Sequence, residues 1–218
     1  MADLNIIQHP SPNFGERRDG ARPELVVLHY TAMPTAQAAL RRLSDPEAEV
    51  SAHYLIGRCG QIWQMVEEDK RAWHAGAGSW GGQGDVNSRS IGIELSNSGA
   101  EPFSELLMSS LEALLSDLMA RWNIPPEGVI GHSDMAPGRK IDPGARFDWP
   151  RLERQGMAHG RGHSEQDLTP EPAQLRALAT QRGYPTDVTD EALLQALRLR
   201  YRRGASGPLC AEDLRVLS

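Results

Sequence analysis

The sequence predicts an α/β protein: a central mixed β-sheet flanked by helices, followed by a small C-terminal three-helix module. Three observations predict it. Short apolar runs of strand length alternate with stretches at helical spacing. A pair of strand-like runs around residues 57–60 reads as a hairpin, so the sheet mixes antiparallel with parallel pairing. After residue 150 strand signals stop, and only leucine-spaced helices follow.

The elements follow in order. The first twenty-odd residues, polar and broken by Pro10, Pro12 and Gly20, read as an arm, ordered or not, with no strand assigned to it. The Val-rich run 25–30 after Pro23 is a buried strand. Residues 35–43 form a short helix, opened by Pro34 and Thr35 and closed before Asp45-Pro46. Residues 53–56 and 61–66 are strands joined by a Gly-containing turn. Residues 75–90, rich in Gly and Ser, read as one long loop, and loops of that length inside a compact domain tend to be functional. Residues 91–95 are the next strand. Ser104 caps a long helix carrying Leu107, Leu111, Leu114, Leu115, Leu118 and Met119, stopped by Pro125-Pro126. Val129-Ile130 is a short strand. Residues 156–164 read as a linker, and 172–182, 189–203 and 211–217 as three helices whose Leu175, Leu178, Leu193, Leu194 and Leu197 suffice for a mini-bundle. These signals divide the chain into 1–155 and 165–218. About fifty residues are marginal alone, so the second unit leans on the first.

Composition excludes several classes. With 218 residues, 39% apolar and 24% charged, the chain can build one good core and an appendage. A formal charge of −6 argues against nucleic acid as a partner. The basic stretch 198–203 reads as the solvated face of a helix. Two distant cysteines, Cys59 and Cys210, support neither a thiolate metal site nor a disulfide scaffold. No run is long enough to span a membrane. Met1-Ala2-Asp3-Leu4-Asn5 has neither half of a signal peptide, so the cytoplasm is expected, or the envelope if a leader has been removed.

The chemistry concentrates in residues 131–144, where an imidazole, an ammonium and a carboxylate stand among turn-forming Pro and Gly. His29 ends the first buried strand. His29, His132 and Asp142 make a three-ligand zinc site with a fourth position for water, one Zn2+ per chain. Taken singly, His29 reads first as a hydrogen-bonded core histidine and Asp142 as an Asx turn. Glu94 is harder to read blandly: a carboxylate within Ile91-Gly92-Ile93-Glu94-Leu95 costs desolvation energy unless it is paired, metal-bound or protonated. The plainer alternative is a strand-edge glutamate facing solvent. Glu94 is the candidate base and Lys140 the candidate cationic stabiliser. His74 at the loop mouth is a substrate contact or a structural residue. Trp80 is a candidate to stack on a sugar ring and Asn97 to bind amides. His53 reads as a buried strand histidine, and His159 and His163 need no function.

Six segments in order carry a resemblance: His29-Tyr30-Thr31, Ser51-Ala52-His53-Tyr54, the run Lys70 to Gly76 (KRAWHAG), Ile91 to Leu95, Gly131-His132-Ser133-Asp134 and Arg139 to Gly144 (RKIDPG). Over roughly residues 5–152 the chain resembles the zinc-dependent N-acetylmuramoyl-L-alanine amidases of the type 2 family. That family includes phage lysozyme-like amidases and peptidoglycan recognition proteins. The C-terminal part is similar, more loosely, to small helical peptidoglycan-binding domains. The resemblance implies zinc on His29, His132 and Asp142, Glu94 as base and Lys140 near the scissile carbonyl. It also implies peptidoglycan fragments or muropeptides as substrate, cut between the muramic lactyl group and L-alanine. A different class is a non-catalytic peptidoglycan recognition protein, and a third is an amidase for other N-acyl amino acids. Phage-type members carry tyrosine where Ala52 stands, which groups this chain with members relying on glutamate. The short 31–50 segment implies an open cleft and a broad substrate range. The absent leader implies instead the recycling of wall fragments.

Overall fold

The computed structural model describes residues 4–164 and 168–218; Met1, Ala2 and Asp3, part of the N-terminal stretch read for a signal peptide, and Glu165, Gln166 and Asp167 at the start of the expected helical unit, lie outside them. The elements in chain order are β1 Ile6–Gln8, β2 Phe14–Glu16, β3 Leu25–Tyr30, α1 Ala36–Ser44, β4 Tyr54–Ile56, β5 Ile62–Gln64, β6 Lys70–Ala72, α2 Val86–Arg89, β7 Ser90–Leu95, α3 Glu105–Trp122, β8 Val129–Gly131, α4 His132–Met135, α5 Trp149–Arg154, α6 Pro172–Gln181, α7 Asp190–Tyr201 and α8 Ala211–Arg215. Six strands form one mixed sheet in the order β1-β5-β4-β7-β3-β8, antiparallel only between β4 and β5.

Period-2 alternation divides the sheet into two faces. Val26 and Leu28 of β3 and Ile91, Ile93 and Leu95 of β7 join Leu107, Leu111, Leu114, Leu115 and Leu118 of α3 in one buried cluster. Helix α3 begins where Ser104 accepts a hydrogen bond from the Leu107 amide and ends at Asn123 in the left-handed conformation. On the opposite face, Leu25 and Val27 pack with Leu175, Leu193 and Leu197 of the C-terminal helices. Leu55 of that face packs with Ala36, Ala39 and Leu40 of α1. Between the α1 cluster and the C-terminal cluster the same face carries His29 and Glu94, cross-strand neighbours in register.

Four expectations need correction. The N-terminal arm supplies β1 to the sheet edge and β2 to a small ribbon with β6, because pairing satisfies backbone groups that its polar side chains leave unconstrained. The 75–90 loop ends in a helical turn, α2, whose Asn87 accepts hydrogen bonds from the His74 and Ala75 amides. Residues 156–164 are not a bare linker: Ala158 is buried in the main core, and the Gly162 amide bonds Val216. The stretch 198–203 is not a solvated face. Arg200 is 3% exposed, lies over the Trp149 ring and bonds Asp134 and the Val129 carbonyl, while Arg198 and Arg202 bind Asp213. A buried guanidinium is costly unless its charge is paired, and the acceptors of its two terminal nitrogens come from distant sequence. Among the described residues no helix is long and apolar enough to cross a membrane.

Candidate active site

Parallel strands deliver their carboxyl ends to one edge of the sheet, where α/β proteins bind ligands. His29 comes from the end of β3, Glu94 from the end of β7, and His132 from the turn after β8. The Ser133 amide donates to the Asp142 carbonyl, folding the 136–142 segment back so that Asp142 returns beside His132. The result is three ligand-type atoms at one point. His29 Nδ1 lies 2.9 Å from His132 Nδ1 and 2.9 Å from Asp142 Oδ2, and His132 Nδ1 lies 3.0 Å from Asp142 Oδ2.

This donor set fits a metal cation. His132 Nε2–H donates to the Ala75 carbonyl at 2.8 Å, so the neutral ring turns a lone pair on Nδ1 inward. Lone pairs of two imidazoles and a carboxylate oxygen converging within 3.0 Å repel unless a cation sits among them. The edges of the triangle approach the roughly 3.3 Å that zinc bonds of about 2.0–2.1 Å at tetrahedral angles demand. Among the described residues this trio is the group arranged to hold a metal ion. Burial pushes His29 down to about 4, reinforced by His132 and opposed by Asp142. Burial acts to raise Asp142, but the close approach of His132 and His29 to its Oδ2 outweighs it and holds the carboxyl well below its usual range. Both shifts keep the ligands in the deprotonated forms that metals bind.

The cluster floors a cleft of about 630 Å³, whose walls include Met33 and Arg42 of the α1 side, Trp73, and Arg139, Lys140 and Ile141. Glu94 faces this cleft and does not point into bulk solvent. Its Oε2 is buried without a hydrogen-bond partner among the described residues. Burial, with the Asp142 charge adding and Lys140 opposing, pushes Glu94 up to about 8. Lys140 stands exposed at the rim.

The other candidates separate. His74 joins the cluster, its Nδ1 3.1 Å from His29 Nε2. His53 is fully buried, accepts from the Gly92 amide and donates to the Lys70 carbonyl, in keeping with a buried strand histidine. Trp80 is not in the cleft: 8% exposed, it stacks edge-on against Tyr184, and a side chain at Gly183 would collide with its ring. Asn97 is not in the cleft either, its amide being engaged with Gly99, Glu101 and Pro102. Sequence reasoning missed Ser90, Asp134, Tyr184 and Arg200. Asp134 offered a signal, a carboxylate two residues after His132; Tyr184 and Arg200 offered none because their partner Asp134 lies 50 and 66 positions away, and Ser90 offered none because a lone serine at a strand start marks no partner.

Comparison with known proteins agrees with this geometry. The N-acetylmuramoyl-L-alanine amidase family model matches residues 19–145. The chain is 40% identical over 152 residues to N-acetylmuramoyl-L-alanine amidase AmiD of Escherichia coli, covering 62% of this chain and about half, 54%, of that relative. It is 37% identical over 160 residues to 1,6-anhydro-N-acetylmuramyl-L-alanine amidase AmpD of Salmonella typhimurium, covering 66% of this chain and 86% of that one. The structure of Escherichia coli AmiD with anhydro-N-acetylmuramic acid-L-Ala-D-gamma-Glu-L-Lys superposes with a TM-score of 0.81, at 32% identity, over 94% of this chain and 95% of that chain. Pseudomonas aeruginosa AmpDh3 in complex with anhydromuramic pentapeptide gives a TM-score of 0.81 at 29% identity over 95% and 92%. With a metal-type trio, a half-buried carboxyl facing the same cleft and a family match over more than half its length, the chain belongs to the N-acetylmuramoyl-L-alanine amidase family.

Proposed function

We propose that this chain hydrolyses the amide between the lactyl group of N-acetylmuramic acid, intact or 1,6-anhydro, and L-alanine of the stem peptide, using one zinc ion per chain. The observation that carries the reading is the convergence of His29, His132 and Asp142 beside a half-buried Glu94, whose Oε2 is buried without a partner among the described residues, in an open cleft. The relatives are amidases by name, and the structures of AmiD and AmpDh3 hold anhydromuramyl peptides, which supports a muropeptide as the occupant of the cleft.

Held by His29, His132 and Asp142, zinc would supply a water acidic enough to attack near neutral pH and a Lewis acid for the scissile carbonyl. Glu94 takes the proton of the attacking water and passes it to the departing L-alanine amine; a carboxyl titrating near neutrality suits both transfers. Lys140 at the rim offsets the negative charge that grows on the carbonyl oxygen. Met33, Trp73 and Ile141 give apolar surface for the lactyl and alanyl groups, and Arg42 gives a cation for stem-peptide carboxylates. The unit 1–155 carries the chemistry in this division, and helices α6, α7 and α8 of the second unit brace it.

The zinc-loaded protein is to be incubated side by side with 1,6-anhydro-muropeptides and intact sacculi, with products identified by mass. Free stem peptide from the soluble substrate alone means a fragment-recycling enzyme, and from both means broad specificity. Binding without release from either would replace this reading with the recognition protein. Glu94→Ala should keep zinc stoichiometry while lowering kcat by roughly 10²–10⁴. Asp142→Ala should lose the metal itself.

A further inference from the structure

Four imidazoles stand in a row behind the cleft: ring centroids are 5.8 Å apart for His53 and His74, 5.1 Å for His74 and His29, and 4.5 Å for His29 and His132. His74 is the member whose purpose the family-level chemistry leaves open. Its neighbours admit one arrangement of hydrogens. Ser90 Oγ lies 2.6 Å from the Val86 carbonyl, which can only accept, so the Ser90 hydroxyl donates there. Ser90 Oγ is also 3.2 Å from His74 Nε2 and, with its hydrogen committed, must accept. The neutral His74 ring therefore carries its hydrogen on Nε2 and a lone pair on Nδ1. That lone pair faces His29 Nε2 at 3.1 Å, so His29 must carry its hydrogen on Nε2. A neutral His29 then has a bare Nδ1, the atom beside His132 Nδ1 and Asp142 Oδ2.

The chain of donors runs in one direction, from His29 through His74 and Ser90 to the Val86 carbonyl. We infer that His74, held by Ser90, is a positioning residue that fixes the tautomer and ring angle of His29, so that Nδ1 is presented as a metal-binding lone pair before any metal arrives. This role rests on the metal site proposed above and replaces substrate contact for His74. The surrounding structure is built to hold the ring. A Cβ at Gly92 would lie 2.4 Å from His74 Cγ, so glycine at the centre of β7 is what allows the imidazole to lie against the strand. Asn87 Oδ1 accepts from the His74 and Ala75 amides at 3.0 and 2.8 Å, fixing the backbone from which the ring projects. Metal-binding histidines commonly donate their other N–H to such a partner. Here the partner is a second histidine, whose own direction is dictated by a serine.

The test reads ring nitrogens and metal affinity in the full-length chain. Nitrogen-15 spectra of the metal-free wild type should show His29 and His74 both protonated on Nε2 and bare on Nδ1. His29 protonated on Nδ1 would overturn the inference. Zn2+ affinity, measured by competition with a chromophoric chelator, should fall roughly 10–100-fold in His74→Leu, which cannot accept from His29. His74→Asn, whose Oδ1 reaches the place of Nδ1, should recover most of the loss. Wild-type affinity in His74→Leu would also overturn it, as would equal losses in the Leu and Asn variants at unchanged melting temperature. Should His74→Leu not fold, the wild-type spectra and His74→Asn still decide. Zinc binding without muropeptide cleavage would remove the proposed activity and leave this inference intact.

Discussion

The two histidines of the metal-type trio, His29 and His132, are held from opposite directions. His29 is oriented by His74 and Ser90, on β7 and the loop before it, all inside the segment that the family model covers. His132 stands on a turn whose Asp134 is anchored from beyond that segment. Arg200 of α7 donates to Asp134 Oδ2 at 2.6 Å, and the Tyr184 hydroxyl donates to Oδ1 at 2.8 Å. One side is a hydrogen-bond chain of neutral groups, and the other an ion pair in which both side chains are almost wholly buried. The difference teaches that the C-terminal helices are part of the scaffold of the site. The sequence similarity to AmiD covers 62% of the chain, whereas its structural likeness covers 94% and so takes in these helices.

The comparison can be broken most directly at Arg200. Arg200→Met leaves Asp134 charged and buried without its partner, which should cost about 3–5 kcal/mol of stability in urea unfolding. Zinc affinity should fall with it, whereas His74→Leu should reduce zinc affinity with little loss of stability. A small stability loss in Arg200→Met would mean that the two sides are not held differently.

Acid sharpens the contrast. Asp213 joins α8 to α7 through Arg198 and Arg202. Burial acts to raise its carboxyl, but bonds from Arg198 and Arg202 outweigh this and lower it from 3.8 to about 2. A carboxyl lowered by folding stabilises above its unfolded value and loses that contribution as pH falls through the folded one. The window is therefore pH 4 down to 2, and the contribution at neutral pH about 2 kcal/mol. Hydrogen exchange should show α8 loosening before β3 across that window, and Asp213→Asn should remove this step at the cost of lower stability at pH 7. The smallest effect is expected at Trp80. Trp80→Phe should weaken its edge contact with Tyr184 by about 1 kcal/mol and leave KM for muropeptides unchanged. A tenfold rise in KM would return Trp80 to the substrate.

Much of the molecule was legible beforehand because its signals are local. Strands β3 and β7, the capped helix α3 and the three C-terminal helices each announce themselves by apolar period, capping residue or breaker. Glu94 was legible as a charge in an apolar strand, and alternation does put it opposite Ile93. What alternation could not say is that this face opens onto a cleft floored by histidines. Trp80 misled because an aromatic in a glycine-rich loop reads alike whether it meets a sugar or the next helix. The basic stretch 198–203 misled because charge alone does not reveal that Asp134 and Asp213 wait inside for it.

The sequence by itself determined the order of elements, the amphipathic faces, and the residue types able to bind a metal and move a proton, since each depends on neighbours within a few positions. Only the tertiary structure decided which nitrogens converge, which carboxyl is left unpaired and which arginine is buried. Those outcomes rest on hydrogen bonds between residues tens of positions apart, such as His29 with His132 and Asp142, and Asp134 with Arg200. Their direction follows from which donors and acceptors the fold brings within 3 Å, information that no local window of the chain contains.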